Sequence, residues 1–363
     1  MAGEIGGVNM VFDGRHLLDD VEAKDITIAT VTSHTSLQIF HGARKEGMKT
    51  LGICVGGPPR YFEGFPLGSP DEFLVLKDYN ELFDRADELR RRNVVLVPHG
   101  SFVEYLGAHK FLDLPLATFG NRNVLPWESD RAKSKVWLEK AGLSLPKHIT
   151  DPRDIIQPVI VKYHGAKGGR GFFIARNYHE FKARIDETKP YTIQEFVLGT
   201  RYYLHYFYSP LSDAGYKLSK GSLQFLGVDR RDETNIDEAN RLGSIAELEN
   251  MGIKPTFVVS GNFPLVIRES LLGKVFKMGD GVVETSLDLF GGMIGPFCLE
   301  TVVTDQLEFK VFEISARIVA GTNPYVSGSP YTDLIEPGLS TGRRIAQEIK
   351  RGAALGRLHE ILS

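Results

Sequence analysis

The sequence predicts an α/β domain followed by an α+β unit, and two patterns carry this prediction. In the first third, apolar β-branched segments such as DITIATV (25–31) and NVVLVPHGS (93–101) alternate with amphipathic helical segments. That alternation is typical of a parallel sheet with helices packed on it. After LPKHITDPRD (145–154), paired strand patterns dominate. A chain of 363 residues has room for two or three domains.

The second half predicts three strand pairs and two long helices. The pairs join QPVIVKYH to FFIAR, YTIQEFV to RYYLHYFYS, and GPFCLETVV to LEFKVFEIS. The helical blocks are VIRESLLGKVFKMGDGVVETSLDLF and STGRRIAQEIKRGAAL.

Composition narrows the classes of function. A net charge of −3 argues against a general binder of nucleic acid or acidic membranes. No apolar run reaches the length of a membrane-spanning helix, and the first twenty residues do not read as a signal peptide, so we expect a cytoplasmic protein. The two cysteines, Cys54 and Cys298, lie in apolar runs and are expected to be buried thiols.

Two polar segments follow predicted parallel strands. They are Ser33-His34-Thr35-Ser36 and Pro98-His99-Gly100-Ser101, each at the start of a predicted helix. Ligands of open α/β sheets bind at the carboxyl ends of the strands, so both segments are candidate binding sites.

The stretch VKYHGAKGGRGFFIA (161–175) places four glycines with Lys167 and Arg170 between two strands. Its spacing matches neither a P-loop nor a dinucleotide fingerprint. Backbone N–H groups and these cations would suit a phosphate, but a surface hairpin with solvated charges explains the stretch equally well. Lys162, on a strand face with Ile160, needs either a phosphate or a neighbouring carboxylate.

Glu300 and Glu313 form the strongest candidate site. In a hairpin with the loop TDQLE (304–308) the two glutamates lie opposite each other, with Cβ atoms about 5 Å apart. Facing carboxylates require a cation or a proton between them, and oxygen ligands suit Mg²⁺. The alternative is a different register with one glutamate in solvent. Arg317 is predicted on the same strand face as Glu313, where it could reach the phosphates of a ligand bound to the metal.

Several single residues give weaker signals. Glu195 ends a predicted strand in IQEFVLG, where backbone groups could read an adenine edge. Glu233 follows Arg230 and Arg231 at another strand end. Asn262 is predicted before an amphipathic helix, and Arg268 near the start of that helix. Neither GxSxG nor HExxH occurs, so covalent catalysis by a side chain is not expected.

The ordered set of lysines, glycine loop, strand-end glutamate and paired glutamates resembles the ATP-grasp superfamily. The segments TIATVTSHTSL, VPHGSFVEYLG, FGNRNVLPWESDR, VIVKYHGAKGGRGFFIA, HYFYSPL, SGNFPLVIRESLL, GMIGPFCLET and FEISARIVAGTN together resemble the archaeal PurP family. Its members are carbon–nitrogen ligases that use ATP and formate to formylate 5-aminoimidazole-4-carboxamide ribonucleotide (AICAR) to its formamido product (FAICAR) through formyl phosphate, in purine synthesis.

The resemblance implies a Rossmann-like pre-ATP-grasp domain at 1–124, a small ATP-grasp subdomain at 125–200 and a C-terminal ATP-grasp domain at 201–363. It also implies a homo-oligomer. Glu300 and Glu313 would hold Mg²⁺ or Mn²⁺. Residues implied for AICAR are His34, Ser101, Asn262 and Arg268. Residues implied for ATP are Lys135, Lys162, Gly165, Gly168, Gly169, Arg170, Gly171, Glu195, Phe196, Val197, Glu233 and Arg317, with Lys133 as the alternative to Lys135.

Two rival functions remain open. One is a paralogue of the same fold that joins another small carboxylate to another amine. The other is a non-catalytic nucleotide-binding regulator, which would bind ATP without turnover; the presence of both Glu300 and Glu313 speaks against it.

Overall fold

A parallel sheet forms the first part of the computed structural model, which describes residues 15–163, 171–234, 236, 237, 256 and 258–363. Its strands are β1 (Thr27–Val31), β2 (Lys49–Val55), β3 (Glu72–Leu76) and β4 (Val94–Leu96), in the order β3-β2-β1-β4. All five residues of β1 are buried, as expected for a strand covered on both faces. The predicted parallel α/β arrangement is therefore confirmed.

Helices connect these strands and lead out of the sheet. They are α1 (Ser36–Lys45), α2 (Glu81–Asp84), α3 (Ala86–Arg91), α4 (Gly100–Tyr105), α5 (Ala108–Leu112), α6 (Leu125–Ser129) and α7 (Arg131–Lys140). Asp130 caps α7 by accepting hydrogen bonds from the backbone of Ala132 and Lys133. Trp137 in α7 is fully buried and donates to the carbonyl of Val282. This contact joins the linker helix to the second half of the chain.

A small antiparallel sheet follows, with its own hydrophobic core. It consists of β5 (His148–Ile149), β6 (Val159–Tyr163), β7 (Phe172–Ala175) and β8 (Tyr191–Glu195), with α8 (Tyr178–Arg184) packed on it. The buried residues of this core touch one another and form a cluster separate from the other cores: Ile155, Val159, Val161, Phe173, Ala175, Phe181 and Ile193.

The large antiparallel sheet carries the remaining strands, in the order β10-β11-β9-β13-β14 with β12 on β11. The strands are β9 (Thr200–Ser209), β10 (Tyr216–Lys217), β11 (Ser222–Glu233), β12 (Val259–Leu265), β13 (Gly295–Val303) and β14 (Phe309–Ser315). Two long helices complete it: α9 (Leu272–Phe290) and α10 (Thr341–Leu355).

Helices α1 and α10 cross at two glycines. A Cβ on Gly42 in α1 would overlap the backbone of Arg343, and one on Gly342 in α10 would overlap the backbone of Gln38. The backbones therefore touch directly. This contact fixes the parallel sheet against the C-terminal helix.

One of the predicted strand pairs is wrong. The strand YTIQEFV does not pair with RYYLHYFYS: β8 lies in the small sheet between β5 and β6, whereas β9 lies between β11 and β13. The short connection resembles a hairpin, but Gly199 packs against the backbone of Val303 and passes the chain into the other sheet. Asn262 precedes the long helix α9, as predicted; it lies within β12, an edge strand that tolerates Pro264, and α9 begins at Leu272.

Candidate active site

The two candidate metal-binding glutamates lie opposite each other in neighbouring strands. Glu300 in β13 pairs with Glu313 in β14, and the connecting loop is residues 304–308, as predicted. Just beyond the pair the register shifts, because Phe312 has no opposite partner. This bulge ends the predicted register directly beside the glutamates; bulges of this kind often lie near active sites.

The carboxylate pair is electrostatically unfavourable without a cation. The packing of protein around Glu313, followed by the charge of Glu300, raises the pKa of Glu313 above its ordinary value, although the side chain remains open to solvent. Glu300 is buried and makes an ion pair with Arg231 at 3.3 Å. Arg231 in turn lies 3.5 Å from the centre of the Tyr203 ring.

The pair fits a divalent cation that is shared with a ligand. Among the described residues no group of three or more His, Cys, Asp or Glu side chains is placed to hold a metal. Two facing carboxylates alone leave most of an octahedral coordination sphere to water and phosphate oxygens, which is how Mg²⁺ is commonly held in nucleotide sites.

Cationic side chains surround the exposed carboxylate. Lys162 in β6 lies close enough to Arg131, Glu313 and Arg201 to feel their charges. Burial lowers its pKa most, and Arg131 lowers it further. Arg201 makes a 3.1 Å ion pair with Glu233. The small and large sheets thus face each other across a mixed set of charges suited to a polyphosphate.

Lys135 lies on α7, 3.6 Å from Glu139. The charges of both Lys135 and Lys162 act on His148 in β5, so the two predicted lysines share one neighbourhood. Lys133, the alternative, lies over the Trp127 ring instead, 5.9 Å from its centre.

The predicted adenine segment follows β8. The backbone amide of Glu195 donates to the Lys147 carbonyl at 2.8 Å, and the Glu195 side chain accepts from the Lys147 amide at 3.1 Å. Phe196 donates to the carbonyl of Pro158. Within the described residues, the Val197 amide has no protein partner, which leaves a backbone donor at the strand end.

The glycine loop falls largely outside the described residues: Gly165, Gly168, Gly169 and Arg170 all do. Gly171 is described, with a φ of 71°, a conformation that favours glycine. Its carbonyl accepts from the Tyr163 amide at 2.9 Å, which closes the hairpin between β6 and β7.

A second cluster lies at the ends of β1 and β4. The hydroxyls of Ser33 and Ser101 are 2.5 Å apart, and His34 has a positive φ of 46°. His99 is buried: its Nε2 donates to the Val31 carbonyl at 2.9 Å, while its Nδ1 accepts from the Ser101 amide. Burial lowers the pKa of His99 to about 3, so this ring stays neutral and holds the Ser101 segment in place.

Arg317 lies just beyond β14 and makes a 2.8 Å ion pair with Glu128 of α6. Its guanidinium packs beside Gly100, and its charge adds to burial in lowering the pKa of His34. The charge of Glu128 also acts on Glu313. The ion pair therefore bridges the space between the strand-end cluster and the carboxylate pair.

Asn262 belongs to a buried polar network. Its side-chain nitrogen donates to Asp229 at 2.8 Å, and Asp229 also pairs with Nε2 of His205 at 2.6 Å. Arg231, the partner of Glu300, lies 4.0 Å from Asp229. Arg268, by contrast, is exposed, and within the described part of the chain its side chain makes no hydrogen bond or ion pair with this network.

Comparison with known proteins agrees with this geometry. Two family models match, "Protein of unknown function (DUF1246)" over 28–149 and "Domain of unknown function (DUF1297)" over 179–363. A protein of Methanococcoides burtonii called 5-formaminoimidazole-4-carboxamide-1-(beta)-D-ribofuranosyl 5'-monophosphate synthetase is 62% identical over 347 residues, covering 96% of this chain and 98% of that protein. The chain belongs to this synthetase family.

More distant members of the synthetase family and solved structures extend the likeness. A synthetase of the same name from Ignicoccus hospitalis is 44% identical, with 95% of this chain and 98% of that protein covered. The crystal structure of the IMP biosynthesis protein PurP from Thermococcus kodakaraensis matches with a TM-score of 0.72 and 29% identity, over 93% of this chain and all of that one. N5-carboxyaminoimidazole ribonucleotide synthetase from Thermotoga maritima shares the fold, with a TM-score of 0.55, 17% identity, and 90% and 76% covered.

Sequence reasoning did not identify several residues whose ion pairs and hydrogen bonds stabilise the arrangement of this site. Their signals were present in part: the pair Arg230-Arg231 stood out at a strand end, and Glu128 lay in a segment used for the resemblance. Their contacts join distant parts of the chain, which a single sequence does not reveal. The missed residues are Glu128, Arg131, Arg201, His205, Asp229 and Arg231.

Proposed function

We propose that this protein formylates AICAR to FAICAR at the expense of ATP and formate, releasing ADP and phosphate, as a step in purine biosynthesis in the cytoplasm. The observation that carries the proposal is the 62% identity, over 96% of the chain, to a synthetase whose name states this product. The facing carboxylates, Glu300 and Glu313, beside Lys162 give that identity a chemical basis.

The reaction divides into two displacements. A formate oxygen attacks the γ-phosphorus of ATP, the bond to the ADP oxygen breaks, and formyl phosphate forms. The amine nitrogen of AICAR then attacks the formyl carbon, the carbon–oxygen bond to phosphate breaks, and the amine loses a proton. Since that amine is a weak nucleophile, the protein must hold it against the carbonyl and keep water out.

On the ATP side, the residues act through position and charge. Glu300 and Glu313 would hold Mg²⁺, which would neutralise phosphate charge during phosphoryl transfer. Lys162 is half-buried, and burial lowers its pKa, so its ammonium would act on a phosphate with less intervening water than an exposed lysine. The backbone amide of Val197 would read the adenine edge.

On the acceptor side, His34 and Ser101 would bind the nucleotide monophosphate at the strand ends. Asn262 would contact the same ligand from β12. We assign Arg317 to the space between the two substrates, because it reaches toward His34 while its partner Glu128 faces Glu313.

Direct transfer agrees with the state of the thiols. Cys54 and Cys298 are both buried, and burial raises the pKa of each thiol. Neither is therefore an activated nucleophile.

The test is to mix the protein with ATP, Mg²⁺, formate and AICAR and to measure FAICAR and ADP together. Equal amounts of both, lost without formate, would support the ligase. ADP without FAICAR would point to the paralogue that joins another acid or amine. Bound ATP without ADP, from folded protein, would overturn the enzyme and favour the regulator.

A further inference from the structure

Asp229 is a carboxylate without solvent exposure at the centre of the network around Asn262. One oxygen accepts from the Asn262 amide nitrogen at 2.8 Å, and the other pairs with Nε2 of His205 at 2.6 Å. Arg231 adds a permanent positive charge 4.0 Å away. Every polar neighbour named here donates or is cationic, which is what an ionised buried carboxylate requires.

This network fixes which end of the Asn262 amide is available. A carboxylate only accepts hydrogen bonds, so Asn262 must turn its NH₂ group toward Asp229. The amide oxygen, Oδ1, is then the atom left for a ligand. The reverse orientation would bring two oxygens together at hydrogen-bonding distance beside a buried charge.

The side chain of Asp229 is packed on several sides and cannot move when Asn262 is replaced. A Cβ at Gly321 would overlap the Asp229 carboxylate, so the segment around Gly321 packs directly against it. On its other side, His205 is almost fully buried on the neighbouring strand. Asn262 itself is only half-buried, in strand register with Arg231, so it lies between this rigid centre and solvent.

We propose that Asp229 is a positioning residue that presents the Oδ1 oxygen of Asn262 to the acceptor nucleotide, so that the site takes a ligand offering an N–H or O–H donor at this place. This inference rests on the proposed function, since it takes AICAR as the ligand. AICAR carries such donors on its ring amine, its carboxamide and its ribose.

The test is the equilibrium affinity of the full chain for AICAR, without ATP or formate, by titration calorimetry. Asn262→Leu keeps the branched shape of the side chain but removes the acceptor oxygen, and it should weaken binding about tenfold, the effect of one lost hydrogen bond with its partner left unpaired. The affinity of Asn262→Asp for AICAR should stay within about threefold of wild type. The new carboxyl group and Asp229 would share one proton, and the other oxygen of the new carboxyl group would still face the ligand. ATP affinity should not change in either variant.

Asp229→Asn separates positioning from mere structure. The amide of this variant has one acceptor oxygen, whereas Asn262 and His205 each need an acceptor. Asn262 is then no longer held, and AICAR binding should weaken several-fold. Because Asp229 acts through Asn262, the double variant Asp229→Asn, Asn262→Leu should bind no more weakly than Asn262→Leu alone. Independent, additive losses, or a Leu variant that binds like wild type, would overturn the inference.

Analogues identify the donor. If the carboxamide supplies it, the analogue with a carboxylate in its place should bind wild type more weakly than AICAR does, and Asn262→Leu should abolish that preference. A preference that moves instead with the amine or the ribose hydroxyls would support the same role for Asn262 with another donor. No binding of AICAR by the wild type would overturn the proposed function as well, and the wild-type titration alone reveals it.

Discussion

Replacing Glu313 by Gln should make the metal-free protein more stable while removing its response to Mg²⁺. The substitution keeps the shape of the side chain but removes one of two facing charges. In the metal-free chain, Glu300 and Glu313 repel each other across the strands, and among the described residues only Arg231 makes an ion pair with Glu300. The neutral amide of the variant relieves that repulsion at the position where a cation would otherwise do so.

The size of the gain follows from the geometry. Directly opposed side chains have Cβ atoms about 5 Å apart, and two unit charges at that distance repel by about 1 kcal/mol in water and about 3 kcal/mol in a protein-like medium. Glu313 is exposed to solvent, so we expect a value near the lower figure, about 1 kcal/mol.

The pH dependence has a definite sign. The protein packed around Glu313, followed by the charge of Glu300, raises the pKa of Glu313 above its ordinary value of 4.5 in the folded chain. Above pH 4.5 the folded state therefore binds more protons than the unfolded state, so metal-free wild type should lose stability as the pH rises through the pKa of the folded-state carboxyl. Glu313→Gln should lack this part of the slope.

The assay is urea unfolding with and without Mg²⁺ and ATP. At a ligand concentration near 100 times Kd the wild type should gain about 2.7 kcal/mol, and Glu313→Gln far less. Glu308→Gln is the matched control on the same hairpin; Glu308 is 61% exposed and pairs only with Lys274 among the described residues, so it should change neither value by more than about 0.5 kcal/mol. A destabilised metal-free Glu313→Gln, or one with the full response to Mg²⁺ and ATP, would refute the electrostatic reasoning.

Three further outcomes are expected. Gly42→Ala should cost about 1–3 kcal/mol of unfolding free energy, because the added methyl meets the Arg343 backbone, and should leave the KM values unchanged; an unchanged urea midpoint would contradict this. Lys162→Met should raise the KM for ATP roughly 10–100-fold, the effect of losing a charged hydrogen bond, whereas the exposed Lys182→Met should not, as steady-state kinetics would show. Ser101→Ala should weaken AICAR binding about tenfold in calorimetry with ATP binding intact, and equal losses for both ligands would argue for general misfolding.

The sequence alone predicted those features that repeat locally. Alternation of strands and helices gave the parallel sheet, and period-two spacing with turn residues gave the opposition of Glu300 and Glu313. Polar residues after predicted strands located His34 and Ser101 at one edge of the sheet.

Other features depend on contacts between distant segments and could not be predicted this way. The connection at Gly199 reads as a hairpin, and only the competing partners of β9 show that the chain changes sheets. The role of Asp229 depends on His205 and Asn262, which are 24 and 33 residues away in sequence. A pattern read along one strand has no information about either neighbour.

The separate hydrophobic core of the small sheet, β5 to β8, makes it an independent unit of local unfolding. Its few apolar residues give less protection than the cluster that joins the parallel sheet to the large sheet. Backbone amides of β6 and β8 should therefore exchange with deuterated water through openings that leave β9 and β13 protected. A nucleotide held between the two sheets would slow exchange first in the small one, so the small sheet should report ligand binding through the exchange of its backbone amides.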